Sequence, residues 1–312
     1  MANLILSLNV VLPLFITISF GYFLKSIKLF DDSTLKKMNN LVFKTFLPIL
    51  LFYNIYTADL SVGLKPKLML FSVLSIISCF LVLIIIIPKI EKDNKRKGVL
   101  VQAIFRSNFV LFGLPVTISL LGENNVGITS IIIAVVVPTF NFLSVISLEM
   151  YKYNKINYKN ILKGIISNPL IIASLIGIFT LALGIKFPKF IDKTLLDLSR
   201  VATPLALVIL GGSFEFNSIK GSLKQISLAV IGKLILVPSI FIPLSIFLGF
   251  RNAELATLLI MFSAPVAVNS FTMADQMGAD SELAGQIVVF SSTFAILTIF
   301  MWIYITKSLG YI

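Results

Sequence analysis

Apolar residues recur along this chain in runs of about twenty, each long enough to cross a hydrocarbon layer as a helix, with short polar connectors between them. Ten such runs can be marked, at roughly 4–24, 38–57, 67–88, 99–121, 126–149, 161–183, 195–214, 223–249, 253–275 and 281–306. The pattern predicts an all-α polytopic membrane protein. Residues 1–3 hold no basic side chain and the run from Leu4 to Leu24 lacks an A-x-A end, so the first run reads as a retained span.

Two runs carry an interruption. Within Phe105–Leu121 lies Gly113-Leu114-Pro115; proline removes a backbone donor and clashes with the preceding turn, so the helix is expected to break there, near the middle of the membrane. Leu258–Met273 holds Pro265, with Asn269 and Ser270 on the following turn. Broken backbone is tolerated at that depth only where protein or a polar cavity surrounds it, and such a break points to a binding site in transporters.

The punctuation also repeats. Pro13, Gly21 and Pro48 are matched by Pro169, Gly177 and Pro204, each 156 positions on, and Pro115 is matched by Pro265 at an offset of 150. Five runs fall in each half, and an odd number forces the halves into the membrane in opposite orientations. The expected architecture is two inverted five-helix repeats, 1–150 and 161–312, joined by a short cytoplasmic linker at 151–160, with broken helices 4 and 9 crossing near the midplane. That arrangement is the sodium/proton-antiporter-like fold.

Composition narrows the function. Hydrophobic residues make up 57% of the 312 and charged residues 13%, with a mean hydropathy of +1.00, which excludes an ordinary soluble domain. The net charge of +12 sits in connectors and forms no amphipathic face, so it speaks of topology and predicts no nucleic-acid partner. With no histidine, one cysteine (Cys79) and no pair of aspartates within the runs, the chain has no means of His-based catalysis or of the usual zinc ligation. It is read as a non-enzyme without metal or cofactor. Fifteen Lys and Arg residues fall in connectors on one side and seven on the other, so both termini are expected outside. The lysine- and isoleucine-rich connectors suggest a bacterial inner (plasma) membrane.

The candidate site is the crossing. Asn108 and Asn269 can donate hydrogen bonds without a fixed charge, and half-helices starting after Gly113-Pro115 and Pro265 would aim the amides around Val116 and Val266 at a bound anion, with Ser270 beside them. A small carboxylate fits that chemistry. Arg106, near a helix end, can snorkel to water, whereas Lys233 lies deeper and calls for a partner or an aqueous path. A sodium or proton exchanger is the alternative, disfavoured by the lack of carboxylates beside the crossing; sodium coupling could use Asn141, Ser144 and Ser291–Thr293 as uncharged ligands.

Asn108-Phe-Val-Leu-Phe-Gly113-Leu-Pro115 resembles the N-x4-G-x-P pattern of the auxin efflux carrier family. Phe46–Phe52, Asn141–Glu149 and Ala264–Asn269 are similar to three further stretches of it, in the same order. The resemblance implies an organic-anion carrier, in bacteria of the malate or malonate permease kind. It also implies a scaffold of helices 1, 2, 6 and 7, often a homodimer interface, against a moving, elevator-like unit of helices 3–5 and 8–10. Plant members carry a long cytoplasmic loop where this chain has only Lys152–Asn160.

The orientation is testable with single cysteines. Those introduced at Ser26 and Asn94 should be shielded from an impermeant thiol reagent added outside, and one at Asn252 should react; the reverse pattern would invert the topology.

Overall fold

A computed structural model describes residues 2–58, 65–122, 126–152, 158–216 and 218–312. Among them every regular element is helical. The first segment is α1 (Ala2–Ser26), followed by α2 (Asp32–Leu41) and α3 (Leu47–Tyr56), which are joined by a π-helical turn at Val42–Phe46. Next come α4 (Pro66–Ile90), α5 (Asn94–Phe105), α6 (Phe109–Leu121), α7 (Val126–Met150), α8 (Tyr158–Ile166), α9 (Pro169–Ala182) and α10 (Lys189–Gly212). A second π-helical turn, Gly232–Leu236, joins α11 (Ile219–Ile231) to α12 (Val237–Phe247), and α13 (Asn252–Ser263), α14 (Asn269–Gln276) and α15 (Ser281–Ser308) complete the chain. Among the described residues, five stretches are long and apolar enough to cross a membrane unaided: Pro66–Ile90, Gly127–Met150, Lys189–Gly212, Ile219–Phe247 and Ser281–Ser308. The molecule is therefore a polytopic membrane protein.

Each π turn ends just before a proline, Pro48 or Pro238. Proline in a helix leaves the carbonyl four residues back without its donor and crowds it, and one extra residue in the turn relieves the clash. The first turn points Lys44 outward, whereas the second buries Lys233 completely. Trp302, the single tryptophan of the chain, donates its indole N–H to the Leu234 carbonyl of that second turn at 3.0 Å.

The expected run at 161–183 is divided in two. Asn168 accepts a hydrogen bond from the Leu170 amide at 2.9 Å and Pro169 begins α9, a cap-plus-proline start. Before it, α8 leaves Leu162, Ile166, Lys159 and Lys163 all exposed, the composition of a helix lying in the membrane surface. Of the expected linker, 153–157 lie outside the described residues.

Close approach of backbones organises one side of the molecule, α1 against α10 and α3 against α9. A Cβ added to Gly21 would fall inside the shell of the Val208 carbonyl oxygen, and one added to Gly177 would come within 3.2 Å of the Phe52 carbonyl oxygen. Gly21 and Gly177 differ by 156 positions, and so do Val208 and Phe52. Small residues that admit helix backbones to each other are the usual adhesive in lipid, where apolar burial gains little.

At one end of the bundle, Glu91 accepts from Gln225 Nε2 at 2.7 Å and ties the α4–α5 connector to α11. Burial pushes this carboxyl's pKa up, but the Gln225 bond, the Asp93 and Lys92 amides and nearby Arg96 prevail and hold it below its usual range. Lys92 lies in the connector and Lys89, Lys95, Arg96 and Lys97 flank it on the adjoining helix ends, so this is the basic end.

Gly211, like Gly21, lies on the α1–α10 contact, where a side chain would collide with the Ile18 carbonyl. Gly211→Ala should lower the thermal midpoint in detergent, with overpacking costing about 1–3 kcal/mol. Gly221→Ala, which meets open space, should not.

Candidate functional site

Two helical segments stop inside the protein. α5 ends at Arg106, whose amide bonds the Gln102 carbonyl at 3.0 Å, and α13 ends at Ala264, whose amide bonds the Ile260 carbonyl at 2.9 Å. The chain is extended at both caps, Arg106 having ψ 129° and Ala264 ψ 147°. The interrupted stretches then satisfy one another. The Asn108 amide donates to the Pro265 carbonyl at 2.8 Å, and Gln102 Nε2 to the Ser270 carbonyl at 3.2 Å. Ser107 Oγ donates to the Met261 carbonyl, and the Val266 amide is taken by Ser291 Oγ at 3.2 Å.

The first break thus lies about two turns before the expected one, a correction to the reading of Gly113-Pro115. Pro115 is the seventh residue of an unbroken α6. There it forfeits one intrahelical bond, to the Leu111 carbonyl, a loss a membrane helix tolerates. Gly113 serves packing, lying against the Phe109 ring and the Thr129 methyl. The Val116 and Thr117 amides accordingly do not start a half-helix. Beside them Thr117, Thr129 and Thr257 form a hydroxyl ladder with spacings of 3.0 and 2.8 Å.

A cavity of about 60 Å³ adjoins the crossing. Its polar lining includes Asn54 of α3, Arg106, Ser107 and Asn108 at the first break, Asn141 of α7 and Asn269 at the start of α14, with Leu47, Leu50, Phe109 and Phe140 among the apolar walls. Asn108 and Asn269 both line this cavity, and the Pro265 carbonyl takes the Asn108 backbone amide. Val266 and Ser270 are buried just behind it, while Gly113, Pro115 and Val116 lie further along α6, outside the lining.

Arg106 is the residue that sequence reasoning set aside. It does not snorkel: only 2% of it is exposed. Its Nη2 donates to Asn141 Oδ1 at 2.6 Å and its Nη1 rests on the Met273 sulfur. The Asn141 amide is fixed in turn by its Nδ2 bonding the Val137 carbonyl at 2.9 Å. A guanidinium has five N–H donors and a thioether is a poor acceptor, so Arg106 retains unspent donors and faces no carboxylate in the cavity lining. The side-chain nitrogens of Asn54 and Asn108, their Nδ2 atoms, are buried there without a partner. α6 starts at Asn108 with no side-chain cap, so its first-turn amides also lack intrahelical acceptors. The signal missed in the sequence was an arginine two positions before the family's asparagine.

Lys233, fully buried on the second π turn, donates to Ser107 Oγ, which passes the contact to the Met261 carbonyl. A hydroxyl can both accept from the ammonium and donate onward, so one serine neutralises two awkward groups. Among the described residues, no three His, Cys, Asp or Glu side chains gather as metal ligands would.

Comparison with known proteins bears on this geometry. Residues 6–161 and 153–303 match the family described as "Membrane transport protein". An uncharacterised transporter of Methanocaldococcus jannaschii is 25% identical over 308 residues, covering 95% of this chain and 97% of that protein. Another, from Methanothermobacter thermautotrophicus, is 24% identical over 300 residues with the same two coverages.

Ser107→Ala would strand the Lys233 ammonium. Stability should fall by about 1–3 kcal/mol in detergent unfolding, the cost of a buried unsatisfied group, and Ser107→Thr should restore most of it.

Proposed function

The chain belongs to the membrane transport protein family, that of the auxin efflux carriers, and on that premise we propose that it is a secondary carrier for a small organic anion bound at the crossing. One observation carries the reading: a buried guanidinium with spare donors, two unpartnered Asn amides and an uncapped helix start converge on a single cavity without any Asp or Glu in its lining. Donors without acceptors await an acceptor-rich guest, and a planar carboxylate matches the guanidinium fork. The cavity, at about 60 Å³, is far below the ~300–1,000 Å³ of drug-sized sites, which favours carboxylates of malonate or malate size over aromatic acids.

The finer fold is part of the proposal: ten spans in two inverted five-helix repeats. It is supported by the paired glycine contacts at one offset and by the breaks themselves, whose caps Arg106 and Ala264 stand 158 positions apart (264 − 106). The packing follows the same pairing, since α1 on α10 corresponds to α9 on α3, and α6 on α7 to α14 on α15. We take α1–α3, α9 and α10 as scaffold and α4–α7 with α11–α15 as the moving unit. The cavity lies between them, Asn54 and Thr203 coming from one side and Arg106, Asn108 and Asn269 from the other. A second polar cavity of about 470 Å³ separates the same units at the basic end, where Asn39 of the scaffold donates to Asp275 of the moving unit at 2.6 Å. Access from either side in turn would require that latch to open and close.

Arg106 also sets the charge balance. A dicarboxylate of the malonate or malate kind bound to it leaves the complex with one net negative charge, and the empty carrier returns with the uncompensated cation, so two negative charges cross per full cycle of uniport. Cation exchange fits less well, because the guanidinium already holds the Asn141 oxygen that a sodium ion would need.

Thermal-shift titration and vesicle flux test the reading. Malonate and malate should stabilise the wild type. Arg106→Gln should weaken binding about ten- to a hundredfold, the loss of a charge-assisted hydrogen bond, while the protein without ligand stays at least as stable, being relieved of a buried charge. Arg106→Lys should fall between. Currents evoked by sodium or pH steps alone, with no response to organic acids, would defeat the proposal.

A further inference from the structure

The face that α11–α12 shares with α15 holds a groove of about 400 Å³ lined by Leu223, Ser227, Ile231 and Ile235 on one wall and Phe290 and Phe294 on the other. Across the same two phenylalanines lies a second apolar groove of about 420 Å³, walled by Phe15, Ile18 and Tyr22 of α1 and closed towards one end by Phe214 and Phe216. Phe290 and Phe294 thus form a ridge with a channel on either side, and Phe294 remains 48% exposed. In a bilayer such channels are filled with hydrocarbon. What distinguishes these is their top.

Lys220 and Lys224 are both exposed and stand on α11 one to three turns before Ser227 and Ile231. At 100° per residue, 220, 224, 227 and 231 all fall within about 60° of one another, so both ammonium groups crown the face that lines the first groove. The Gln225–Glu91 bond fixes this end of α11 beside the basic α4–α5 connector, and Glu215 is the one acid in the connector leading into α11, 213–218. From Leu223 to Ile235 the groove runs about 18 Å at 1.5 Å per residue, close to the ~15 Å of one leaflet of hydrocarbon. Cationic head, one-leaflet length and twin channels about a ridge describe the negative of a two-chain lipid.

We propose that this is a binding site for one anionic glycerophospholipid of the leaflet at the basic end, its phosphate held by Lys220 and Lys224 and its acyl chains lying on either side of Phe290 and Phe294. The second channel touches α1 as well as α15, so the bound lipid bridges two separate parts of the bundle. This site shares no residue with the crossing cavity and does not depend on what that cavity carries.

Photo-crosslinking tests it. The protein is reconstituted with phosphatidylglycerol bearing a photoactivatable group on an acyl chain, and labelled peptides are mapped. Labelling should concentrate on 223–235 and 290–298. Unlabelled phosphatidylglycerol should compete at a mole fraction up to about thirtyfold below that of phosphatidylcholine, about fivefold for each lysine. Lys220→Gln/Lys224→Gln should erase that preference, and Ser227→Trp, which fills the channel and keeps both charges, should abolish labelling there. These positions are on the surface, and an unchanged thermal midpoint verifies folding. The proposal is overturned if phosphatidylcholine competes equally, since the groove is then merely solvated by lipid. Preference surviving in the double variant, competition by soluble glycerol phosphate, or no labelling because a second copy covers the face would each overturn it too.

Discussion

A peptide group left unpaired in hydrocarbon costs several kcal/mol, and the centre of this protein is organised by that cost. Two helices stop inside the protein, and each uses the other as its partner: the Asn108 amide with the Pro265 carbonyl, the Gln102 side chain with the Ser270 carbonyl, Ser107 with Met261. Neither break would be stable alone. Their joint satisfaction fixes α5, α6, α13 and α14 as one body and leaves a few donors unspent on the side facing α3 and α10.

Two buried cations follow from the same arrangement. Lys233 is consumed by it, its ammonium spent on Ser107 at the break. Arg106 is only half consumed, held by a neutral amide and a sulfur. Charge in a low-dielectric interior is costly unless fully paired, so a protein that keeps a partly paired guanidinium at such a point carries a standing preference for anions. Asn141 orients it without cancelling it, which an aspartate in that position would do.

Helix positions were legible because hydropathy reports burial in lipid directly. α4, α7 and α15 begin within a residue of the expected runs, and the punctuating glycines mark backbone contacts. The break in the fourth run was misplaced because proline was treated as its cause. Local chemistry permits a break at Pro115, but tertiary pairing decides, and the partner for a broken backbone, the Pro265 carbonyl, lies beside Asn108. The split before α9 was written in Asn168-Pro169, a cap and a first-turn proline, yet the surrounding hydropathy hid it. Arg106 was illegible for another reason: exposure near a helix end is a matter of which neighbours cover it, and α7 and α14 are distant in sequence.

The hydrogen bond from Trp302 to the Leu234 carbonyl has a spectroscopic meaning. With one tryptophan in the chain, all indole emission comes from a ring anchored to the π turn that carries Lys233, and through Lys233 to Ser107 at the crossing. Any rearrangement that unwinds that turn or shifts α15 along α12 would break the indole's hydrogen bond and alter its wavelength and lifetime. The protein therefore contains its own single-site optical gauge, readable without a label, at the seam between the broken helices and the long helix behind them.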